Sequence, residues 1–69
     1  MKEISIGTEI IELGKFLKFS GLAPSGGQAK MWIEQGFIQV NGQKETRRRK
    51  KLTPGDTVTY EGQTVRVAP

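Results

Sequence analysis

The chain has 69 residues, no cysteine, no histidine and a net charge of +4. That size allows one domain with a modest core, and the missing Cys and His exclude disulfide frameworks and structural zinc as its source of stability. With no nucleophile paired to a base and no metal-ligand cluster, the composition predicts a binding module that is not an enzyme and needs no cofactor or metal, and its pI near 9.8 predicts an anionic partner.

Lys2, Glu3 and Glu9 interrupt the first eleven residues, so they offer no apolar signal-peptide core, and no run elsewhere is long enough to span a membrane. The expectation is a cytoplasmic monomer without membrane association. Ile4 and Ile6 alternate with Glu3 and Ser5, which predicts a short edge strand ending at Gly7. From Thr8 or Glu12 the spacing becomes helical, with Leu13, Phe16 and Leu17 on one face, Glu12, Lys15 and Lys18 elsewhere, and a stop at Gly21. Gly14 inside this helix costs up to about 1 kcal/mol against Ala, so it marks a close approach of another element. In the connector Leu22-Ala23-Pro24, the proline keeps Ala23 out of the helical region and delivers the chain to Ser25.

Ser25 with Gln28 three residues later has the capping-box arrangement and starts a second helix. Ala29, Trp32, Ile33 and Gly36 form its core-facing stripe, and Gly36 suits the left-handed stop. Ile38 and Val40 alternate with Gln39 as a strand, and Asn41-Gly42 is a type I′ hairpin signal, so residues 43 to 46 return as its partner. A basic stretch follows as a loop or exposed edge before Leu52 anchors the chain. Thr53-Pro54-Gly55-Asp56 reads as a type II turn into a strand at Thr57 to Tyr60, and Glu61-Gly62 turns that strand into a last one at Gln63 to Val67. Val58 and Tyr60 share an inward face with Val65 and Val67, leaving Thr57, Thr59, Thr64 and Arg66 outside. The elements define an α+β class.

Six of the 11 basic residues (Lys44, Arg47, Arg48, Arg49, Lys50 and Lys51) fall between positions 44 and 51, opposed only by Glu45. Such a run repels itself unless it is solvated or neutralised by an anion, and phosphates are the anions that Lys and Arg bind with strong salt dependence. In an extended segment Arg47, Arg49 and Lys51 would share a face opposite Arg48 and Lys50. Gly26 and Gly27 leave the amides at the start of the second helix uncovered, which suits a phosphate but equally suits a helix start packed near its neighbour. Lys30, one turn on, would favour a phosphate-bearing ligand at that end; its competing partner is Glu34 at i+4. The core has first claim on Phe16 and Trp32, whereas Phe19 and Phe37 lie near helix ends.

The order of a helix corner, Gly36-Phe37-Ile38-Gln39-Val40-Asn41-Gly42, a polar return strand and Pro54-Gly55-Asp56-Thr57-Val58 resembles the S-four RNA-binding domain, named from the small-subunit ribosomal protein. Over the whole chain, including Ser25 to Lys30 and Arg47 to Lys51, it is similar to the small stand-alone YaaA/YbcJ group of that family. The resemblance implies a helix pair packed on a small antiparallel sheet (the αL-type arrangement), with structured RNA, ribosomal or transfer RNA, lying across the helices and the neighbouring hairpin. Larger members commonly carry Arg at the start of the first helix and after the serine opening the second. Glu12 and Gly26 stand there instead, which leaves Lys30 and the basic run to supply charge. The resulting candidate RNA-binding set is Gly26, Gly27, Lys30, Lys44, Arg47, Arg48, Arg49, Lys50 and Lys51. Two alternatives stay open from composition: an assembly factor using the basic run on an acidic protein surface, a ribosomal protein among the candidates, or a DNA-binding protein.

Overall fold

The computed structural model describes residues 1 to 69. In chain order the elements are β1 (Lys2–Ser5), β2 (Ile11–Glu12), α1 (Leu13–Phe19), α2 (Gly26–Glu34), β3 (Ile38–Val40), β4 (Gln43–Lys44), β5 (Lys51–Leu52), β6 (Thr57–Tyr60) and β7 (Gln63–Ala68). Five strands form one sheet in the order β1-β7-β6-β3-β4, and β2 pairs with β5 as a separate ladder. The pairings are antiparallel except that β1 runs parallel to β7, so the expected antiparallel sheet is mixed at one edge.

The local signals act as their chemistry requires. The Ser25 hydroxyl accepts the Gln28 amide at 3.1 Å and starts α2, although Gln28 makes no return bond to complete the capping box. At the other end Gly36 sits at φ +81. Its amide donates to Ile33 and that of Phe37 donates to Trp32, which is the Schellman closure. Asn41 and Gly42 both have positive φ (53 and 82), as a type I′ turn demands, and Glu61 with Gly62 (49 and 79) repeats the arrangement between β6 and β7. Gly55 at φ +102 and the Asp56 amide donating to Thr53 complete the expected type II turn.

The core lies between the helix pair and the sheet. Leu13, Phe16 and Leu17 of α1 and Ala29 and Ile33 of α2 are fully buried against Ile38, Val40, Val58, Val65 and Val67 of the sheet. Each large side chain removed from water contributes on the order of 1.5–3 kcal/mol before entropy is counted. Trp32 packs on the edge of this core, stacked on Tyr60 with ring centroids 4.0 Å apart and planes 14° from parallel. Core packing therefore accounts for Trp32 and Phe16. Phe19 and Phe37 are more than half exposed.

Three elements differ from the sequence expectation. Residues before α1 are not helical: Ile11 and Glu12 pair with Leu52 and Lys51, and α1 starts only at Leu13. The return strand ends at Lys44; the Glu45 amide still donates to the Ile38 carbonyl at 3.0 Å, and the Glu45 carboxylate accepts from the amide and guanidinium of Arg47. The basic run is not extended, because the Lys50 amide donates to the Arg47 carbonyl and makes a turn with Arg48 and Arg49 at its centre.

Candidate nucleic-acid interface

Helix α1 has no side-chain cap at Glu12. Its first amides are satisfied by the basic loop instead: Leu13 donates to the Lys50 carbonyl at 2.8 Å and Gly14 to that of Arg48 at 2.9 Å. The close approach expected at Gly14 is thus the Arg48 backbone; a Cβ at position 14 would stand 3.4 Å from that carbonyl oxygen and 3.6 Å from the Arg48 Cβ. Backbone carbonyls thereby occupy the N-terminal end of α1, while the buried Leu52 side chain and the β2–β5 ladder fix the loop from behind.

Helix α2 presents the opposite situation. Ser25 engages the amides of Gln28 and Ala29, whereas Gly26 and Gly27 are exposed and open space surrounds the positions where their Cβ atoms would be. This uncovered end carries roughly half a positive charge from the helix dipole. It faces a cleft whose other walls are Gly14, Lys15 and Lys18 of α1, Lys30 of α2 and Arg48 of the loop, with Glu12 at one end. The cleft has four cations against one carboxylate and no hydrophobic lining. Its chemistry suits a phosphate-bearing ligand, with point charges from lysine and a forked donor from Arg48.

Of the predicted residues, the structure therefore gathers Gly26, Gly27, Lys30 and Arg48 in one place and separates the remainder. Arg47 and Lys50 border a second hollow with Lys44, beside the Asn41 hairpin, so the alternation expected of an extended run is replaced by a split at the turn. Arg47 is engaged there: its Nε donates to Glu45 Oε2 at 3.0 Å and its Nη2 to Oε1 at 3.2 Å. The side-chain hydrogen bond from Arg47 is the main cause that holds the Glu45 carboxyl down at about 2. The aliphatic stem of Lys44 lies across Gly36, its Cδ 3.1 Å from where a Cβ would be. Arg49 is exposed in the turn, and Lys51 lies in β5 on the far side of Glu12. Lys15 and Lys18 stand outside the set expected from the sequence. Their signal was present, since both lie off the Leu13, Phe16 and Leu17 face of α1, but only the placement of α2 and the loop turns that face into a cleft wall.

The hairpin is tied to the sheet independently of this cleft. The Asn41 side chain accepts the Thr57 amide at 2.9 Å and donates to Asp56 at 3.0 Å, and Asp56 in turn accepts the Thr53 amide at 2.8 Å. Burial pushes the Asp56 carboxyl up, but hydrogen bonds from Thr53 and Asn41 and the charge of Lys50 outweigh it, so the group lies below its ordinary value.

A helix pair packed on a small sheet, with a cationic cleft where the second helix begins, is the arrangement that the chain presents. The sequence matches the S4 domain over residues 4–68, and the chain belongs to that family. It is 46% identical over 59 residues to the Bacillus subtilis (strain 168) protein named "Probable ribosome maturation protein RlbA", covering 86% of this chain and 83% of that one. It is 44% identical over 57 residues to the Escherichia coli (strain K12) "Putative RNA-binding protein YbcJ", covering 83% and 81%. The solution structure of YbcJ from E. coli, described as revealing an αL motif involved in RNA binding, superimposes with a TM-score of 0.73 at 39% identity over 100% of this chain and 89% of that one.

Proposed function

We propose that this chain is a non-catalytic RNA-binding module that seats the backbone of structured RNA in the cleft between α1, α2 and the Arg48 turn. The observation that carries the reading is the convergence of Lys15, Lys18, Lys30 and Arg48 on the uncovered amides of Gly26 and Gly27. Membership of the S4 domain family and the RNA-binding descriptions of its relatives support the same reading. Ribosomal RNA is the first candidate, because one relative is named a ribosome maturation protein, and such a role belongs in the cytoplasm.

In this reading phosphate contacts position the protein, and A-form shape, more than base sequence, selects the RNA. Arg48 supplies the forked contact. Arg47 contributes less because Glu45 neutralises it, and Lys44 and Lys50 supply a weaker field beside the hairpin.

Fluorescence polarisation with an RNA hairpin and the DNA hairpin of the same sequence, at equal salt, tests this. RNA should bind more tightly, with affinity falling steeply as salt rises; equal binding of DNA would overturn the choice of RNA. Co-purification before and after nuclease treatment tests the acidic-protein alternative, which is favoured if an association survives nuclease and requires Arg47 to Lys51.

A further inference from the structure

The cationic cleft does not end at its own walls. Glu12 and Lys15 also border a neighbouring groove with apolar sides formed by Ile6, Ile10, Ile11 and Phe19, and Lys51 stands at its other margin. Ile10 and Phe19 are 50% and 59% exposed, two large apolar side chains held open beside a charged cleft. Phe19 lies four residues beyond Lys15 in α1, so ring and ammonium share one helix face. The opposite wall is braced: Ile11 pairs with Leu52, and the Thr8 hydroxyl donates to the Ile10 carbonyl at 3.0 Å.

We propose that this groove receives one unpaired base of the RNA whose phosphates occupy the adjoining cleft, with that base stacked on Phe19. The inference rests on the RNA-binding reading above and adds to it that the preferred RNA carries a bulged or splayed nucleotide. An aromatic face beside lysines matches a nucleotide in both its parts, because the base is flat and apolar on its faces and the flanking phosphates are anionic. Lys15 and Lys51 would meet those phosphates on either side. Glu12, at the junction, repels a phosphate but can accept a hydrogen bond from an exocyclic amino group, which adenine, cytosine and guanine have and uracil lacks. An acidic peptide with apolar side chains would also suit the lysines, but it would not explain why the groove shares Glu12 and Lys15 with the cleft.

The test uses three hairpin RNAs that differ only at one bulged position: adenosine, uridine or an abasic ribose. The intact chain should bind the adenosine RNA about tenfold more tightly than the abasic one, within the range that stacking of one base supplies, with uridine between them. Phe19→Ala should erase the difference while leaving affinity for the abasic RNA unchanged, and Phe19→Tyr should retain it. Since Phe19 is mostly exposed, these variants should keep the fold, which circular dichroism checks. Equal binding of adenosine and abasic RNAs by the intact chain overturns the proposal, and so does equal weakening of both by Phe19→Ala. If discrimination survives Phe19→Ala, the base is read somewhere other than on Phe19, and the proposal again fails. In these cases salt-dependent binding can persist and the RNA-binding reading stands; if none of the three RNAs binds, both fall.

Discussion

The carbonyl oxygen of Arg48 accepts the amide hydrogen of Gly14 at 2.9 Å, so the start of the first helix and the middle of the basic loop form one unit. A side chain larger than a methyl group at position 14 would press on that junction. Gly14→Ala is expected to be neutral or to stabilise by up to about 1 kcal/mol, because its Cβ meets the loop at ordinary contact distance and helix propensity improves. Gly14→Leu has no such room; it should displace Arg48 and weaken RNA binding more than it lowers the thermal midpoint. Paired melting curves and RNA titrations of the two variants check this.

The Glu45–Arg47 pair predicts an acid-sensitive hairpin base. The Glu45 carboxyl lies at about 2 in the fold against an ordinary 4.5. A group depressed in this way stabilises the fold fully above its unfolded value, and the contribution disappears as pH falls from about 4.5 towards 2. Asp56, held low by Thr53 and Asn41, acts with the same sign. Arg47 is largely exposed, so the ion pair contributes modestly. Melting temperatures measured from pH 7 to pH 2 should decline across this window, and Glu45→Gln should flatten part of the decline. The same variant frees Arg47, so RNA affinity near neutral pH should rise.

Asn41 combines a left-handed backbone, at φ 53, with side-chain bonds to Asp56 and to the amide and hydroxyl of Thr57, which join the hairpin turn to the start of β6. Asn41→Gly keeps the backbone conformation and loses the bonds, at a cost of about 1–2 kcal/mol, each kcal/mol lowering the melting midpoint by roughly 4–8 °C. Asn41→Ala adds backbone strain of about 1–2 kcal/mol. Stability should therefore fall in the order wild type, Asn41→Gly, Asn41→Ala, as chemical denaturation can measure; an Asn41→Gly variant as stable as wild type would remove the role given to the bonds, and a reversed order of the two variants would remove the backbone strain.

What could be read from the sequence is what short-range chemistry decides. The Ser25 cap, the Gly36 stop, the Asn41-Gly42 turn and the Pro54-Gly55 turn each depend on residues within a few positions, and each appears where expected. The parallel pairing of Lys2–Ser5 with the final strand spans nearly the whole chain and has no local marker. The Ile11–Glu12 ladder is two residues long, too short for a period to show. The site follows the same division. Gly26, Gly27 and Lys30 were legible because one helix carries them, whereas Arg48 is distinguished from Arg47 only by a turn in the loop and by Glu45. Lys15 and Lys18 lie off the apolar face of α1, and only the placement of α2 opposite them makes them cleft walls.

The most direct test of the central claim is the dependence of RNA affinity on salt for the intact chain and for the Lys30→Ala/Arg48→Ala double variant, using one structured RNA hairpin and fluorescence polarisation. Each phosphate contact contributes about 0.7–0.9 to the slope of log affinity against log salt, so removing two cleft cations should flatten the slope by about 1.5 and weaken binding at low salt. Changing Arg47 alone to Ala should flatten it by clearly less than one contact. A double variant whose slope and affinity match those of the intact chain would contradict the account, because the phosphates would then lie somewhere other than the cleft between Arg48 and the start of the second helix.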